Sequence, residues 1–213
     1  MNSLPNLIDD LVAANRILAG LNVLDGFGHV SVRHPDDPNR YLLSRSLAPE
    51  LVAPADIMTF DLASIAQDDD TRTPYLERFI HGEIYKRRPD VRAVVHSHAA
   101  TVVPFTASSV KLRPFYHMSS FLRAGASVFE IRERFSMTDM LIRNNEHGAA
   151  LAEKLGDDAV VLMRGHGFCT LGEGIPFAVY RAYYPHAKSA LPAQARALGG
   201  RVPCPEPAGA GPS

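Results

Sequence analysis

The chain has 213 residues, of which 46% are hydrophobic, and a formal net charge of −1. This length and apolar content suit one compact domain, and a nearly neutral chain without long runs of like charge lacks the electrostatic footprint of a protein that binds nucleic acid or an anionic membrane surface. The two cysteines form no CxxC pair, and the N-terminal segment carries acids where a signal peptide needs basic and apolar residues. No apolar run approaches the roughly 18 residues that cross a bilayer. We therefore expect a cytoplasmic protein with a small-molecule partner.

The first third of the chain predicts a helix followed by a strand-rich stretch. Apolar residues recur at helical spacing from Leu7 to Leu18, directly after Pro5, which suits the first turn of an amphipathic helix. Three apolar segments follow, and each predicts a strand. Prolines and aspartates, which favour turns, lie between the first segment and the second. These segments are residues 29–33, 40–44 and 57–62.

A second helix is predicted where Thr73 and Pro74 resemble an N-cap and a first-turn proline. Apolar residues then recur every four positions until Arg88 and Pro89 end the pattern. This spacing places Glu77 in the first turn of the helix.

Two buried strands are predicted further along the chain, each leading to histidine. Residues 91–105 contain a run of β-branched residues followed by two histidines, and residues 159–171 contain a similar apolar run followed by a third histidine. Between them, residues 144–155 predict a helix that closes at Gly156, a residue suited to a left-handed helix end.

The C-terminal part predicts an interrupted helix and a tail. The helix is expected from about Pro176 to residues 199–200, with a kink or break at Pro185 and Pro192, because proline removes a backbone hydrogen bond. Residues 202–213 are too rich in proline, glycine and alanine to pack, so we expect a disordered tail after a domain of residues 1–201.

Three histidines carry the strongest chemical signal. His96 and His98 lie one residue apart on an extended segment, so their side chains point to the same side and can share a metal ion. His166 suits a third ligand, because its flanking glycines let the backbone turn sharply and leave room for a substrate. A His-x-His pair alone is more often a pair of solvated or core histidines. Three neutral imidazoles with an open position are typical of a catalytic metal site.

Glu77 is the candidate general acid or base. A carboxylate at the start of a helix is ordinarily only a favourable partner of the helix dipole. Here the predicted helix leads directly into the strand that carries His96 and His98, so Glu77 can lie over the same pocket. A cation would lower its pKa and desolvation would raise it, and the sequence leaves the balance open.

The order of Glu77, His96-Ser-His98 and Arg-Gly-His166-Gly resembles the class II aldolase/adducin family over residues 7–198. The segments RPDVRAVVHSHA and RGHG stand where that family places them. The resemblance implies an α/β fold, a single three-layer α/β/α domain with a central, mostly antiparallel sheet, assembled as a homotetramer with the metal site near a subunit boundary. It also implies that His96, His98 and His166 bind one divalent ion, with zinc, manganese, iron and cobalt all open, and that Glu77 is the catalytic carboxylate.

Departures from the sugar-phosphate members of the family favour another branch. Those members carry a Gly-Asn pair before the first strand and a Ser-Ser pair before the glutamate, which together cradle a phosphate, whereas this chain has Gly28-His29 and Tyr75-Leu76. GFGHVSVR, LSRSLAPELV, YLERFIHGEIY and FYHMSSF are similar instead to the branch with pyridine- and dihydroxyphthalate-type aromatic decarboxylases.

This branch implies a non-oxidative decarboxylase of a hydroxylated aromatic or heteroaromatic carboxylate. Such an acid can chelate a divalent ion, whose Lewis acidity favours the loss of CO2, and Glu77 or a water that it orients would protonate the ring carbon. Arg45 could hold a second carboxylate with a bidentate fork, or be a surface arginine. His29 and His117 could contact the substrate or support the groups around it, or be structural histidines.

Three other functions remain open at this point. The same site could serve an aldolase that acts on a short hydroxy-oxo acid or a sugar-like substrate. Three neutral imidazoles also hold iron in Fe(II)-dependent oxygenases. An adducin-like interaction module without catalysis is the last alternative, and it would be expected to have lost the metal ligands, which are present here.

Overall fold

The structure is a computed structural model, and it describes residues 3–114 and 117–188. Within these ranges the chain forms six α-helices and seven β-strands. The helices are α1 (Leu4–Gly20), α2 (Phe79–Arg87), α3 (Val103–Ala107), α4 (Arg132–Phe135), α5 (Asn145–Leu155) and α6 (Ile175–Lys188). The strands are β1 (His29–Arg33), β2 (Arg40–Ser44), β3 (Ile57–Asp61), β4 (Ala93–Ser97), β5 (Ser127–Phe129), β6 (Val160–Met163) and β7 (Gly167–Gly172).

All seven strands belong to one sheet with the order β3-β2-β1-β4-β7-β6-β5. The pair β5 and β6 is parallel, and every other neighbouring pair is antiparallel. The central position of β4 matters for the site, because this strand has β1 on one side and β7 on the other.

Two apolar clusters cover the two faces of the sheet. Along β4, Ala93 and Val95 belong to the cluster that also contains residues of α1 and α6, whereas Val94 belongs to the cluster of α2 and α5. This alternation follows from the period of two along a strand. The prediction of a single three-layer α/β/α domain with a mostly antiparallel sheet is therefore confirmed. Within the described ranges, no helix combines the length and apolarity needed to span a bilayer.

Most of the local predictions are confirmed. The first helix and the first two predicted strands have the expected positions, and the third strand ends one residue earlier, at Asp61. Asn144 caps α5 by accepting a hydrogen bond from the backbone N–H of His147 at 2.8 Å. Gly156 follows the helix with the positive φ predicted for it, +56°, but its ψ of −127° differs from that of the left-handed helical conformation.

The prediction that a helix starts at Thr73 is wrong. Helix α2 begins at Phe79, because the segment before it is attached to the end of β2 instead. The backbone N–H of Ser46 donates to the carbonyl of Thr73 at 2.8 Å, and Arg45 and Pro74 form an isolated bridge. Glu77 therefore lies in a turn that precedes the helix, and not in its first turn.

Helix α6 runs through Pro185 to Lys188, so the break expected at this proline is not observed. Pro185 lies in the last described turn, where the missing N–H removes one hydrogen bond near the end of the helix. Pro192, the predicted helix end at residues 199–200, the domain boundary at residue 201 and the predicted tail 202–213 lie outside the described residues.

Candidate metal centre

Pairing between β4 and β7 brings the three predicted histidines together. His96 lies in β4 and His98 directly follows it, whereas His166 lies in the turn between β6 and β7. In the β4–β7 pair, Ser97 stands opposite Phe168, so the turn that carries His166 reaches the end of β4. Gly167 allows this close approach, because a Cβ there would lie 2.2 Å from the carbonyl oxygen of Ser97.

The side chains of Glu77, His96, His98 and His166 converge on one point. Their candidate ligand atoms all lie within 4.8 Å of one another. His98 Nε2 is 2.9 Å from His96 Nε2 and 3.1 Å from His166 Nε2. Glu77 Oε2 lies 3.5 Å from His96 Nε2 and 3.3 Å from His166 Nε2. The predicted ligands and the predicted catalytic carboxylate thus form one cluster.

Hydrogen bonds on the outer side of each ring orient the nitrogens that face inward. His98 Nδ1 lies 3.0 Å from Asp25 Oδ1, His166 Nδ1 lies 3.0 Å from the Met140 carbonyl, and His96 Nδ1 lies 3.3 Å from the Phe168 carbonyl. A neutral imidazole has a single N–H, and an oxygen acceptor at Nδ1 fixes it there. The three Nε2 lone pairs then face one another together with a carboxylate oxygen.

The charges in the cluster favour a bound cation. Burial acts to raise the pKa of Glu77, but the adjoining His166 and His96 rings outweigh it, so the pKa lies well below its ordinary value. Burial lowers the pKa of His96 to about 4 against the pull of Glu77. For His166, burial lowers the pKa but the Glu77 carboxylate outweighs it and raises the pKa overall. An ionised carboxylate beside converging imidazole lone pairs attracts positive charge, which fits one divalent ion.

A cavity of about 510 Å³ opens beside this cluster. Glu77, His98 and His166 form part of its wall, so a cation held there would face the cavity. The rest of the wall combines apolar side chains and a few polar groups, as is usual for small-molecule sites. These lining residues are Phe27, His29, Ser46, Tyr75, Leu76, Asp139, Met140, Leu141 and Gly165.

The family model of the "Class II Aldolase and Adducin N-terminal domain" matches residues 9–187. The chain belongs to this family. The match spans every described helix and strand except for the ends of α1 and α6, and it confirms the resemblance predicted from the histidine motifs.

Several relatives of this chain are named decarboxylases. The chain is 42% identical over 186 residues to decarboxylase tropJ of Talaromyces stipitatus, covering 81% of this chain and 70% of that protein. It is 28% identical over 202 residues to a 3,4-dihydroxyphthalate decarboxylase of Arthrobacter keyseri, covering 90% and 79%. The predicted similarity to the aromatic decarboxylase branch is thus confirmed.

Other proteins that resemble this chain have names of a different kind. A protein of Streptomyces roseochromogenus subsp. oscitans named 4-hydroxy-3-prenylphenylpyruvate oxygenase/4-hydroxy-3-prenylbenzoate synthase is 29% identical over 155 residues, covering 72% of this chain and 54% of that protein. Among solved structures, L-fuculose 1-phosphate aldolase superposes with a TM-score of 0.77 at 16% identity, covering 96% of this chain and 92% of that one. This last likeness concerns the class II aldolase fold alone.

The three predicted substrate contacts occupy different places relative to the cavity. His29 lines the cavity, stands opposite His96 in the β1–β4 pair, and is only 1% exposed. Arg45 is not among the lining residues, and its Nε forms an ion pair with Asp56 Oδ1 at 2.7 Å. His117 is exposed in the 3₁₀ segment His117–Leu122 and is also not among the lining residues.

Sequence reasoning missed Asp25, whose carboxylate bonds to the His98 ring on the side away from the candidate cluster. Its Oδ1 accepts hydrogen bonds from the backbone N–H groups of Phe27 and Gly28 at 3.0 and 2.8 Å, and from His98 Nδ1 at 3.0 Å. The Asp-Gly-Phe-Gly run was a visible turn signal. Its link to His98 spans 73 positions, so no local pattern could reveal it.

Proposed function

We propose that this protein is a metal-dependent carbon-carbon lyase, a non-oxidative decarboxylase of a hydroxylated aromatic or heteroaromatic carboxylate. The observation that carries the proposal is the convergence of three imidazole lone pairs and one carboxylate on the wall of a cavity large enough for an aromatic acid. The decarboxylase names of the nearer relatives support the reaction, and the name of the Arthrobacter keyseri enzyme supports the substrate class.

In this proposal, His96, His98 and His166 hold one divalent ion, for which zinc, manganese, iron and cobalt are all candidates. When bound, the ion supplies Lewis acidity next to the substrate oxygens. The protein fixes each ring through Asp25, the Met140 carbonyl or the Phe168 carbonyl, so the ligand geometry exists before the substrate arrives.

Glu77 is the proposed acid/base group, which moves the proton of the reaction. Its Oε1 accepts the backbone N–H of Ile142 at 2.8 Å, which leaves Oε2 facing the histidines and the cavity. During decarboxylation, the bond between the ring carbon and the carboxylate breaks, CO2 leaves, and the electron pair remains on the ring. That carbon then takes a proton from a water that the ionised Glu77 orients, or from Glu77 itself after the carboxylate has accepted the proton that the substrate hydroxyl releases.

Substrate binding is assigned to the cavity wall and to two further groups. Phe27, Tyr75 and Leu76 offer apolar surface for an aromatic ring. His29 contacts the substrate from the same wall. Arg45 adjoins the lining residue Ser46, and we propose that its side chain turns from Asp56 to a second carboxylate of the substrate. His117 is absent from the cavity wall of the single chain. We therefore propose that it contacts the substrate only in an assembled oligomer.

The oxygenase is the second candidate function, favoured by the Streptomyces roseochromogenus relative. The aldolase ranks after it, because the aldolase likeness concerns the fold and the phosphate-cradling pairs are replaced. The interaction module ranks last, because the ligand cluster is intact.

A screen of metals against substrates tests these alternatives directly. The chelator-treated protein is loaded with zinc, manganese, iron or cobalt and mixed with 3,4-dihydroxyphthalate, related hydroxy acids, hydroxy-oxo acids or prenylated phenylpyruvates. We expect CO2 release from an aromatic acid. Oxygen consumption with iron would identify an oxygenase, an aldehyde product would identify an aldolase, and a chain that binds none of the metals would leave the interaction module.

Assembly and location belong to the proposal as well. We propose a homotetramer in the cytoplasm whose catalytic domain comprises residues 1–201, with residues 202–213 as a tail. Exposed apolar side chains near the cavity, Phe27 at 75% and Leu76 at 44%, support burial by a second copy. Light scattering of the purified protein should give four times the chain mass.

A further inference from the structure

A chain of buried hydrogen bonds runs from the interior of the domain to the cavity. Tyr85 Oη lies 2.7 Å from Ser31 Oγ, Ser31 Oγ lies 2.6 Å from His81 Nδ1, and His81 Nε2 lies 2.7 Å from His29 Nδ1. The four side chains are almost completely buried, with at most 1% exposure each. His29, at the end of the chain, lines the cavity, and its ring centroid is 5.2 Å from that of His96.

If every donor in this series of hydrogen bonds has an acceptor, all of the bonds must run in one direction, from Tyr85 to His29. The Tyr85 hydroxyl bonds to the backbone N–H of Val94, which can only donate, and to Ser31 Oγ, so Tyr85 must donate to Ser31 or leave a buried O–H unsatisfied, at substantial cost. Ser31 then donates its own proton to His81 Nδ1. A neutral His81 with an acceptor at Nδ1 carries its proton on Nε2 and donates to His29 Nδ1.

The directions of these bonds make both rings neutral. His81 accepts at Nδ1, so its single proton is on Nε2, and because that N–H points at His29 Nδ1, the Nδ1 of His29 has to be an unprotonated acceptor. Each ring therefore has a single N–H. Because His29 Nδ1 accepts from His81, the remaining proton of His29 is on Nε2, the nitrogen for which the described residues offer no partner.

We propose that Tyr85, Ser31 and His81 are positioning residues that fix His29 as the Nε2–H tautomer, and that this N–H donates a hydrogen bond to an anionic carboxylate or phenolate oxygen of the substrate. The substrate part of the inference rests on the proposed function, whereas the tautomer follows from the buried chain alone. An N–H fixed in this way presents a donor without carrying charge, so it selects for an acceptor oxygen on the substrate and adds no positive charge beside the metal centre.

The tautomer can be tested without any activity. Long-range ¹H–¹⁵N correlation spectra of the zinc-loaded protein with ¹⁵N-labelled histidine distinguish a protonated Nε2 from a protonated Nδ1, and His29→Gln and His81→Gln identify the two signals by their loss. We expect the proton on Nε2 in both rings. A proton on Nδ1 of either ring, or on both nitrogens of His29, would overturn the proposal whether or not the protein is a decarboxylase.

The positioning role is tested by a matched pair of variants. His81→Gln keeps an N–H donor at the position of Nε2, whereas His81→Leu does not. With 3,4-dihydroxyphthalate as the probe, we expect His81→Leu to raise KM about tenfold with kcat nearly unchanged, the effect of losing about one hydrogen bond, and His81→Gln to restore KM. If KM rose equally in both variants, and in proportion to the fall in the midpoint of thermal unfolding, His81 would have only a structural role. That result would contradict the proposal.

Discussion

At the scale of single residues, the candidate centre depends on groups that the histidine motifs do not reveal. Asp25 orients His98 while two backbone N–H groups orient Asp25, so hydrogen bonds connect the turn at residues 25–28 to the His98 ring. Burial acts to raise the pKa of Asp25, but His98 and the two backbone donors outweigh it and lower the pKa, so the carboxylate stays ionised.

Replacing Asp25 by alanine should weaken metal binding without removing a ligand. The His98 ring would lose its only carboxylate partner among the described residues, and loss of such a partner typically costs 10–100-fold in metal affinity. Competitive titration of zinc against a chelator measures the change. Asp36→Ala on the exposed turn between β1 and β2 is the matched control, and an equal loss of zinc affinity there would contradict this role for Asp25.

Glu77→Gln separates proton transfer from metal binding. Glutamine keeps an oxygen for the N–H of Ile142 but can neither carry the charge nor supply the proton. We expect turnover to fall by about 10²-fold or more, in the range of general acid catalysis, while most of the zinc remains bound. His98→Ala should instead lose the zinc. If Glu77→Gln kept full turnover, another group would have to move the proton.

At the scale of elements, the sequence predicts what depends on neighbours along the chain. The strands at residues 29–33 and 40–44 and the capped helix α5 follow local patterns, and the structure confirms them. The start of α2 could not be predicted in this way, because Thr73 bonds to Ser46, a residue 27 positions earlier that follows the end of β2. The convergence of His166 with His98 was inferred only as a possibility, since it depends on the register of β4 and β7.

The packing of α5 on α2 should tolerate no side chain at Gly148. A Cβ there would lie 2.5 Å from the carbonyl oxygen of Phe79, the first residue of α2. We expect Gly148→Ala to destabilise the fold by about 1–3 kcal/mol, as overpacking does, and to lower the melting temperature by roughly 2–4 °C for each kcal/mol. Gly20→Ala is the control, because nothing lies within 4 Å of its added Cβ. Thermal unfolding followed by circular dichroism measures both, and equal midpoints would contradict the packing argument.

At the scale of the whole molecule, the cation and the fold should stabilise each other. An ion that binds the folded chain more tightly than the unfolded chain shifts the unfolding equilibrium by mass action, by about 2.7 kcal/mol at 100 times the dissociation constant. We expect chelation to lower the melting temperature and zinc to restore it. The His98→Ala protein should show neither response, and a wild-type melting temperature indifferent to both treatments would argue against a metal centre.

The neighbouring positions of β4 and β7 have a consequence for folding. Strands β1 to β4 come from the first half of the chain and β5 to β7 from the second, and the contact between β4 and β7 is the seam where the two halves of the sheet join. Since His96 and His98 lie on one side of this seam and His166 on the other, a polypeptide that stops before β6 retains two imidazoles and no complete coordination shell. Tight binding of the proposed ion must therefore follow formation of the most sequence-distant strand pairing in the sheet, a slow class of contact to form. Binding of the metal would then report that the whole domain has folded.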